Sequence, residues 1–300
     1  MDPVRGPCNG IRSAPNLRDR DGIEFLQWAL PRLHLRWLGF RKVRRQVCKR
    51  IQRRMNELGL GSVAAYRAYL ECHASEWSVL DALCRVSISC FYRDRAVFAT
   101  MRDVVFPDLV RLCDEPDLRC WCAGCAGGEE PYTLAILWDR EIAAQSPGSR
   151  LRILATDTDR AQIERARRAS YPPSALRDLP TGWREATFTA TERVFTLRPG
   201  YREQVEFRVH DVRTDPVPGR FHLVACRNLA FTYFDEALQT QVLARLLASL
   251  TEGGFLVIGA HEDLPEPSKD LVPLKSGLGI FRHGTGSGRA TGNQEGRLRS

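Results

Sequence analysis

The segment Trp121-Cys122-Ala123-Gly124-Cys125-Ala126-Gly127-Gly128-Glu129-Glu130-Pro131 sets a run of small residues between an apolar stretch and two acids. Small residues let the backbone turn sharply and approach a ligand, and Pro131 suits the first turn of a helix. The pattern builds a pocket where a strand passes into a helix. A phosphate loop offers its helix N-terminus to an anion, and two glutamates there would oppose one. A cationic ligand fits better. S-adenosylmethionine, with a positive sulfonium and a positive α-amino group, is the cofactor the pattern points to, received by the glycine loop at Gly124 and the acids Glu129 and Glu130. A purely structural account stays open, because acids in a first turn also complement the helix dipole.

Asp157 adds to this. It closes the strand-like LRILATD, where the second strand of a nucleotide-binding sheet carries an acid for the two ribose hydroxyls. A carboxylate accepts two hydrogen bonds at once. The competing role is an N-cap for a helix starting at Thr158, a task Asp159 fits equally well. Cys120, Cys122 and Cys125 alternate along the strand into the glycine loop, have no second Cys or His pair beside them, and read as buried structural thiols. The six histidines form no ligand set, so no metal is expected. Tyr171-Pro172-Pro173 has the residues of the Asp/Asn-Pro-Pro-Tyr loop of base-modifying methyltransferases in the wrong order, after a helix, and reads as a turn.

Elements that could hold these residues follow from the periodicity. LRCWCAG, LRILATD, FHLVACRN and GGFLVIGAH read as strands, and EPYTLAILWDREIAAQ, TDRAQIERARRAS and EALQTQVLARLLASL as helices. This alternation predicts an α/β domain over 117–283 with a parallel sheet, helices on both faces, and a ligand beyond the carboxyl ends of the strands. Between 172 and 206 the alternation fails, and period-two stretches with a Pro-Gly turn predict a small inserted antiparallel β-subdomain. From 23 to 109 apolar residues recur at three and four, which predicts an N-terminal helical domain. The polar ends, 1–22 and 284–300, read as disordered tails.

Composition bounds the partner. The 300 residues carry a net charge of +8, and ten Lys or Arg against the single acid Glu57 fall between Pro31 and Leu60. Arg41, Arg45, Lys49 and Arg53 lie four apart and form one stripe, although like charges at that spacing are mildly destabilising. A solvated helix face is the plain account, and an acidic partner is the functional one. Charge alone leaves nucleic acid, membrane surface and acidic protein open. No run of about eighteen apolar residues suggests a membrane span, and no short apolar stretch follows the N-terminus, so a soluble cytoplasmic protein with reduced thiols is expected.

GEEPYTLA, ATDTD, RARRASY, CRN with YFD, and LTEGGFLVIGAHE, in that order, resemble the CheR chemotaxis receptor methyltransferases, which methylate receptor glutamates with S-adenosylmethionine. The likeness extends upstream through RRQVCKRIQRRMNELGLGSVAAYRAYL and SISCFYRD, and covers roughly 23 to 283. It implies a Rossmann-like cofactor domain behind a helical domain. It also implies that Ser87, Ser89 and Arg93 contact the cofactor and the active centre. Glu130, Asp157, Asp211, Val212, Arg227 and Asn228 would hold the rest of the cofactor, and Tyr233 would face the reacting methyl group. The basic helix takes the position that meets acidic methylation helices of receptors, and the β-insertion resembles a subdomain that grips a receptor tail peptide.

The sequence departs from that pattern in three places. Ser87 and Ser89 stand where the family usually has Asn and Thr, CRNLAFTYFD has one residue more before its tyrosine than CRNxxxYFD, and GAHED replaces GHSE. A divergent member is the reading. The implied reaction is methyl-ester formation on glutamate side chains of an acidic helical segment of a receptor-like protein, by a monomer, with no nucleic acid and no membrane insertion. A carboxylate needs no general base at neutral pH, so catalysis is mainly orientation, with Arg93 as carboxylate orienter and Tyr233 as a wall and donor. An RNA methyltransferase and a catalytically silent cofactor-binding scaffold are the alternatives.

Overall fold

The computed structural model describes residues 19–113, 115–266 and 268–284. The expected disordered tails lie outside these residues, apart from Gly284 and the stretch 19–22, which opens a helix. The chain divides into two compact units, Met1–Val86 and Ser87–Ser300.

The first unit is helical, with its main helices at Asp19–Ala29, Arg44–Glu57, Val63–Cys72 and Ala74–Cys84. On Arg44–Glu57, Val47, Ile51 and Met55 recur four apart and are buried, which gives the helix its inward stripe. Arg45, Lys49 and Arg53 stand on the opposite, exposed side, with Arg41 exposed in the turn before the helix. Other cations of the segment turn inward. Arg54 holds buried Glu76 through two bonds of 2.9 and 2.8 Å, and the Tyr66 hydroxyl donates to the same carboxylate at 3.0 Å. The Arg54 hydrogen bond lowers the pKa of Glu76 against the effect of burial.

Residues 87–109, which the periodicity groups with the helical domain, belong to the second unit. They contain the helix Arg95–Thr100, a π-helical turn over Met101–Val105, and the start of Phe106–Leu112. Ten strands follow: β1 (Asp117–Ala123), β2 (Arg150–Asp157), β3 (Ser170–Tyr171), β4 (Phe188–Ala190), β5 (Phe195–Leu197), β6 (Val205–Val209), β7 (Phe221–Ala225), β8 (Leu250–Val257), β9 (Leu271–Lys275) and β10 (Ile280–His283).

Seven strands form one sheet in the order β6-β2-β1-β7-β8-β10-β9. Its first five strands are parallel, and β10 runs antiparallel to β8 and β9. β3, β5 and β4 make the separate antiparallel sheet expected of the insertion. That insertion ends earlier than 206. Val205 and Glu206 belong to β6, which pairs with β2 at the edge of the main sheet, because Val205 and Phe207 are buried there while Glu206 and Arg208 face solvent. The alternation that marks a half-exposed antiparallel strand also marks a parallel strand at a sheet edge.

Chain order reverses between β1 and β7: β2 and β6 continue from β1 on one side, β8 on the other. The carboxyl ends of β2, β1 and β7 therefore stand side by side at a switch point, the place where open α/β sheets bind ligands.

Candidate functional site

The loop after β1 is shaped by its small residues. Gly124 has φ +82°, and a Cβ there would lie 2.4 Å from Leu229 Cδ2 in the loop after β7. A Cβ on Gly127 would lie 2.7 Å from Arg165. Gly124 N and Cys125 N both donate to Thr156 O at 2.8 Å, tying the loop to β2. Ala126 is left-handed, at φ +47°, and its N–H donates to Asp157 Oδ2 at 2.9 Å.

Asp157 is half-buried at the end of β2, and its other oxygen accepts Asp159 N at 2.9 Å. It does not cap the following helix. Asp159 does, accepting Ala161 N at 2.9 Å. These two backbone bonds fix the carboxylate at the strand end, where open α/β sheets bind ligands.

The two acids of the loop have different fates. Glu129 is fully buried, and Arg165 Nη2 reaches its Oε1 at 2.6 Å. Burial nonetheless raises its pKa, Ser89 lies beside the same carboxylate, and Oε2 has no hydrogen-bond partner among the described residues. Glu130 is bound at 2.8 Å by Arg227 from the loop after β7. Arg227, almost wholly buried, also donates to Asp94 Oδ2 at 2.7 Å and Arg93 O at 3.1 Å, and lies over the Phe98 ring. One guanidinium thus ties the helix after β1, the loop after β7 and the segment at 93–94 together.

Arg93 sits between two left-handed non-glycine residues, Tyr92 (φ +57°) and Asp94 (φ +62°), a strained arrangement of the kind concentrated at functional sites. Tyr92 N is held by Thr133 Oγ1 at 3.1 Å. Arg93 Nη1 donates to Ile88 O at 3.0 Å, and Nη2 to Asn228 Oδ1 at 3.3 Å. Tyr233 stands close enough for the Arg93 charge to oppose the burial that raises its phenol pKa. The longer CRN loop is taken up by a helical turn over Ala230–Tyr233, closed by Tyr233 N to Leu229 O at 2.9 Å.

The structure thus gathers Gly124, Glu130, Asp157, Arg227 and Asn228 at the ends of adjacent strands, with Arg93 bonded to Asn228 and Tyr233 within range of the Arg93 charge. Ser87 and Ser89 are half-buried on the stretch leading to Arg93. Asp211 and Val212 follow β6. The Asp211 carboxylate is forked by Arg213, with Nη2 at 2.8 Å, and buried Val212 offers its carbonyl to Arg245. Cys120, Cys122 and Cys125 are buried, and no group of three metal-ligating side chains occurs among the described residues. Three residues escaped sequence reading: Arg165, Asp94 and Glu262. Glu262 lies in GAHED, a departure visible in the sequence, but two of its three partners are 30 and 34 positions away.

These donors fit S-adenosylmethionine. The glycine loop admits no side chain at Gly124, Asp157 sets a carboxylate at the end of β2, and Glu130 and Asp94 share the Arg227 guanidinium after β7.

The family model described as "CheR methyltransferase, SAM binding domain" matches residues 88–277. The chain belongs to the CheR methyltransferase family. It is 34% identical over 234 residues to an uncharacterized 104.1 kDa protein in the hypE 3' region of Rhodobacter capsulatus, covering 77% of this chain and 24% of that protein. The chain thus spans about a quarter of the length of that relative. It is 32% identical to a chemotaxis protein methyltransferase of Listeria innocua, over 62% of this chain and 69% of that protein. To a probable chemotaxis protein methyltransferase of Rhizobium etli it is 28% identical, over 81% and 93%. Among solved structures, an amino pentose methyltransferase of Micromonospora echinaspora with S-adenosylmethionine bound matches at 19% identity and TM-score 0.32, over 55% of this chain and 51% of that one. The matched domain is one that binds S-adenosylmethionine. No helix among the described residues is long and apolar enough to cross a membrane.

Proposed function

We propose that this protein forms methyl esters on glutamate side chains of a partner protein, an acidic helical segment of a receptor-like signalling protein in the cytoplasm. The observation that carries the reading is the arginine at 93, fixed by Asn228 and Ile88 O and set beside Tyr233, at the edge where the cofactor-type donors converge. A guanidinium pinned at two corners in a half-buried site is suited to a carboxylate, which it can take through its remaining planar donors.

In this reading Gly124, Glu130, Asp157, Asp211, Val212, Arg227 and Asn228 hold the cofactor, with Ser87 and Ser89 on the facing segment. S-adenosylmethionine supplies an electrophilic methyl group on a positive sulfur. Arg93 orients the acceptor carboxylate, which is already ionised at neutral pH and needs no base. Tyr233 walls the site and donates a hydrogen bond, and burial keeps its phenol protonated for that purpose. Fixing the acceptor in line is worth several kcal/mol in reactions of this type. Arg41, Arg45, Lys49 and Arg53 supply an exposed positive track for the acidic partner.

The helical turn that absorbs the extra residue before Tyr233 supports an active site over a silent scaffold. The test is to incubate the protein with radiolabelled S-adenosylmethionine and a bacterial lysate containing chemoreceptors, then expose the labelled protein to mild base. Ester label is released as volatile methanol. Label that resists base, or that resides in RNA, overturns the reading.

A further inference from the structure

Glu262 touches none of the residues assigned to the cofactor through a side chain, yet it is one of the most heavily bonded carboxylates in the second unit. It follows β8 in the turn Gly259-Ala260-His261-Glu262 and is 8% exposed. Its Oε2 accepts Asn228 N at 2.8 Å and Gly259 N at 2.6 Å, and its Oε1 accepts the Thr232 hydroxyl at 2.6 Å. Asn228 and Thr232 are the two ends of the longer CRN loop. Gly259 has no room for a side chain: a Cβ there would lie 2.7 Å from Glu262 Oε2 and 3.0 Å from Asn228 Oδ1.

We propose that Glu262 is a positioning residue for methyl transfer, a carboxylate clamp across Asn228 and Thr232 that keeps Asn228 on Arg93 and Tyr233 beside it. The proposal rests on the assignment of Arg93 and Tyr233 to the reacting centre. The physical case starts from the backbone. Asn228 is left-handed, at φ +56°, a conformation that costs a non-glycine residue free energy unless its surroundings fix it. Its N–H bond to Glu262 supplies that constraint, and it is the same residue whose Oδ1 holds Arg93 Nη2. At the other end, Thr232 immediately precedes Tyr233, so the hydroxyl bond sets the exit of the helical turn that carries the phenol. One carboxylate therefore holds Asn228, which bonds Arg93, and the residue next to Tyr233, which lies within range of the Arg93 charge. A loop one residue longer has more conformations to lose, and the clamp removes them before substrate arrives.

Burial raises the pKa of Glu262 while all three donors favour its ionised form. A buried carboxylate without partners would be costly; here each oxygen is used, so the residue is stable in place as a fixed acceptor. Its bonds run to Asn228, Thr232 and Gly259, so the clamp acts mainly where the loop after β7 meets Arg93.

The test uses the full-length protein with Glu262→Ala, Glu262→Gln and Thr232→Val. Glutamine can take both backbone N–H groups on its amide oxygen and donate its amide to Thr232, whose hydroxyl turns to accept. We expect Glu262→Ala to lower kcat about 30-fold and, because Asn228 is also assigned to the cofactor, to weaken S-adenosylhomocysteine by a smaller factor of about threefold, as for an interaction that matters mainly in the transition state. Glu262→Gln should recover activity to within about fivefold of wild type, and Thr232→Val should cost about fivefold alone and nothing further in the Glu262→Ala background, since both remove one clamp. Hydrogen exchange at the Asn228 and Gly259 amides should rise in Glu262→Ala and stay slow in Glu262→Gln.

Wild-type kcat in Glu262→Ala, or equal damage to cofactor affinity and kcat, overturns the proposal. Should Glu262→Ala fail to fold, Thr232→Val decides: unchanged kcat in that variant is equally fatal. If instead wild type yields no base-labile ester on any protein, the proposed reaction fails, and the exchange data still report whether the clamp holds the loop.

Discussion

Replacing Asp157 by alanine should do two things that can be measured apart. The carboxylate accepts Ala126 N and Asp159 N, both at 2.9 Å, so its loss leaves two backbone donors unpaired at a half-buried site. At a net ~0.5 to 1.5 kcal/mol for each such bond, the ligand-free protein should lose about 1 to 3 kcal/mol. For a unit of this size each kcal/mol lowers the melting temperature by about 2 to 4 °C. The second effect is on the cofactor. If the carboxylate also takes the ribose hydroxyls, a charge-assisted bond worth about 1.5 to 3 kcal/mol disappears, and the dissociation constant for S-adenosylhomocysteine rises about 10- to 150-fold. Calorimetric titration of the folded variant, below its melting temperature, separates the terms. Asp157→Asn keeps one acceptor oxygen and should fall between wild type and Asp157→Ala in both measurements. A variant that melts several degrees lower yet binds S-adenosylhomocysteine with wild-type affinity would show that Asp157 only organises the loop, and would refute the ribose assignment.

Arg93→Lys keeps the charge but loses the fork that reaches Ile88 O and Asn228 together, so methyl transfer should drop about 10- to 100-fold with little change in melting temperature; equal activity of the two proteins removes Arg93 from the mechanism. Reversing Arg45 and Lys49 to glutamate should slow association with an acidic helical partner and flatten its salt dependence while leaving cofactor affinity unchanged; tight, salt-sensitive binding of generic RNA by wild type alone would count against a protein partner. Burial raises the pKa of Glu129, so its contribution to stability is present below its unfolded pKa and is lost as pH rises through the folded value. Glu129→Gln should therefore gain melting temperature relative to wild type as pH rises from about 4 to 8, and a difference that stays flat or reverses would contradict the raised pKa.

Much of the site was legible because the relevant residues sit where local pattern changes: glycines after an apolar run, Asp157 at the last position of LRILATD, Arg227-Asn228 at the end of FHLVACRN. Each marks the carboxyl end of a strand, and strand ends are what a parallel sheet brings together. Side-chain partners were not legible. Arg165 and Glu129 are 36 positions apart, Arg227 and Asp94 are 133, and no period links them. The edge strand β6 was read into the insertion because VEFRV alternates like an antiparallel strand, and which neighbour a strand pairs with is settled by tertiary packing. β9 and β10 were missed for a related reason: LVPLK and IFRH are short and carry Pro273 and Arg282.

The two glutamates that first suggested a cationic ligand turn out to act through their partners. Glu129 is matched by Arg165 and buried, so it adds little field at the loop and instead fixes the helix Arg160–Arg168 against the turn. Glu130 shares Arg227 with Asp94, which leaves that trio negative, and Asp157 adds a second negative charge at the next strand end. On the proposed assignments, the acids facing a positive cofactor would be Glu130, with Asp94 sharing its arginine, and Asp157, while Glu129 is neutralised by Arg165. The same trio joins the segment at Asp94 to the sheet, directly beside Arg93. On the proposed assignments, holding the cofactor side and placing Arg93 would both depend on one buried guanidinium, so loss of Arg227 should damage both, whereas loss of Glu262 should damage mainly the second.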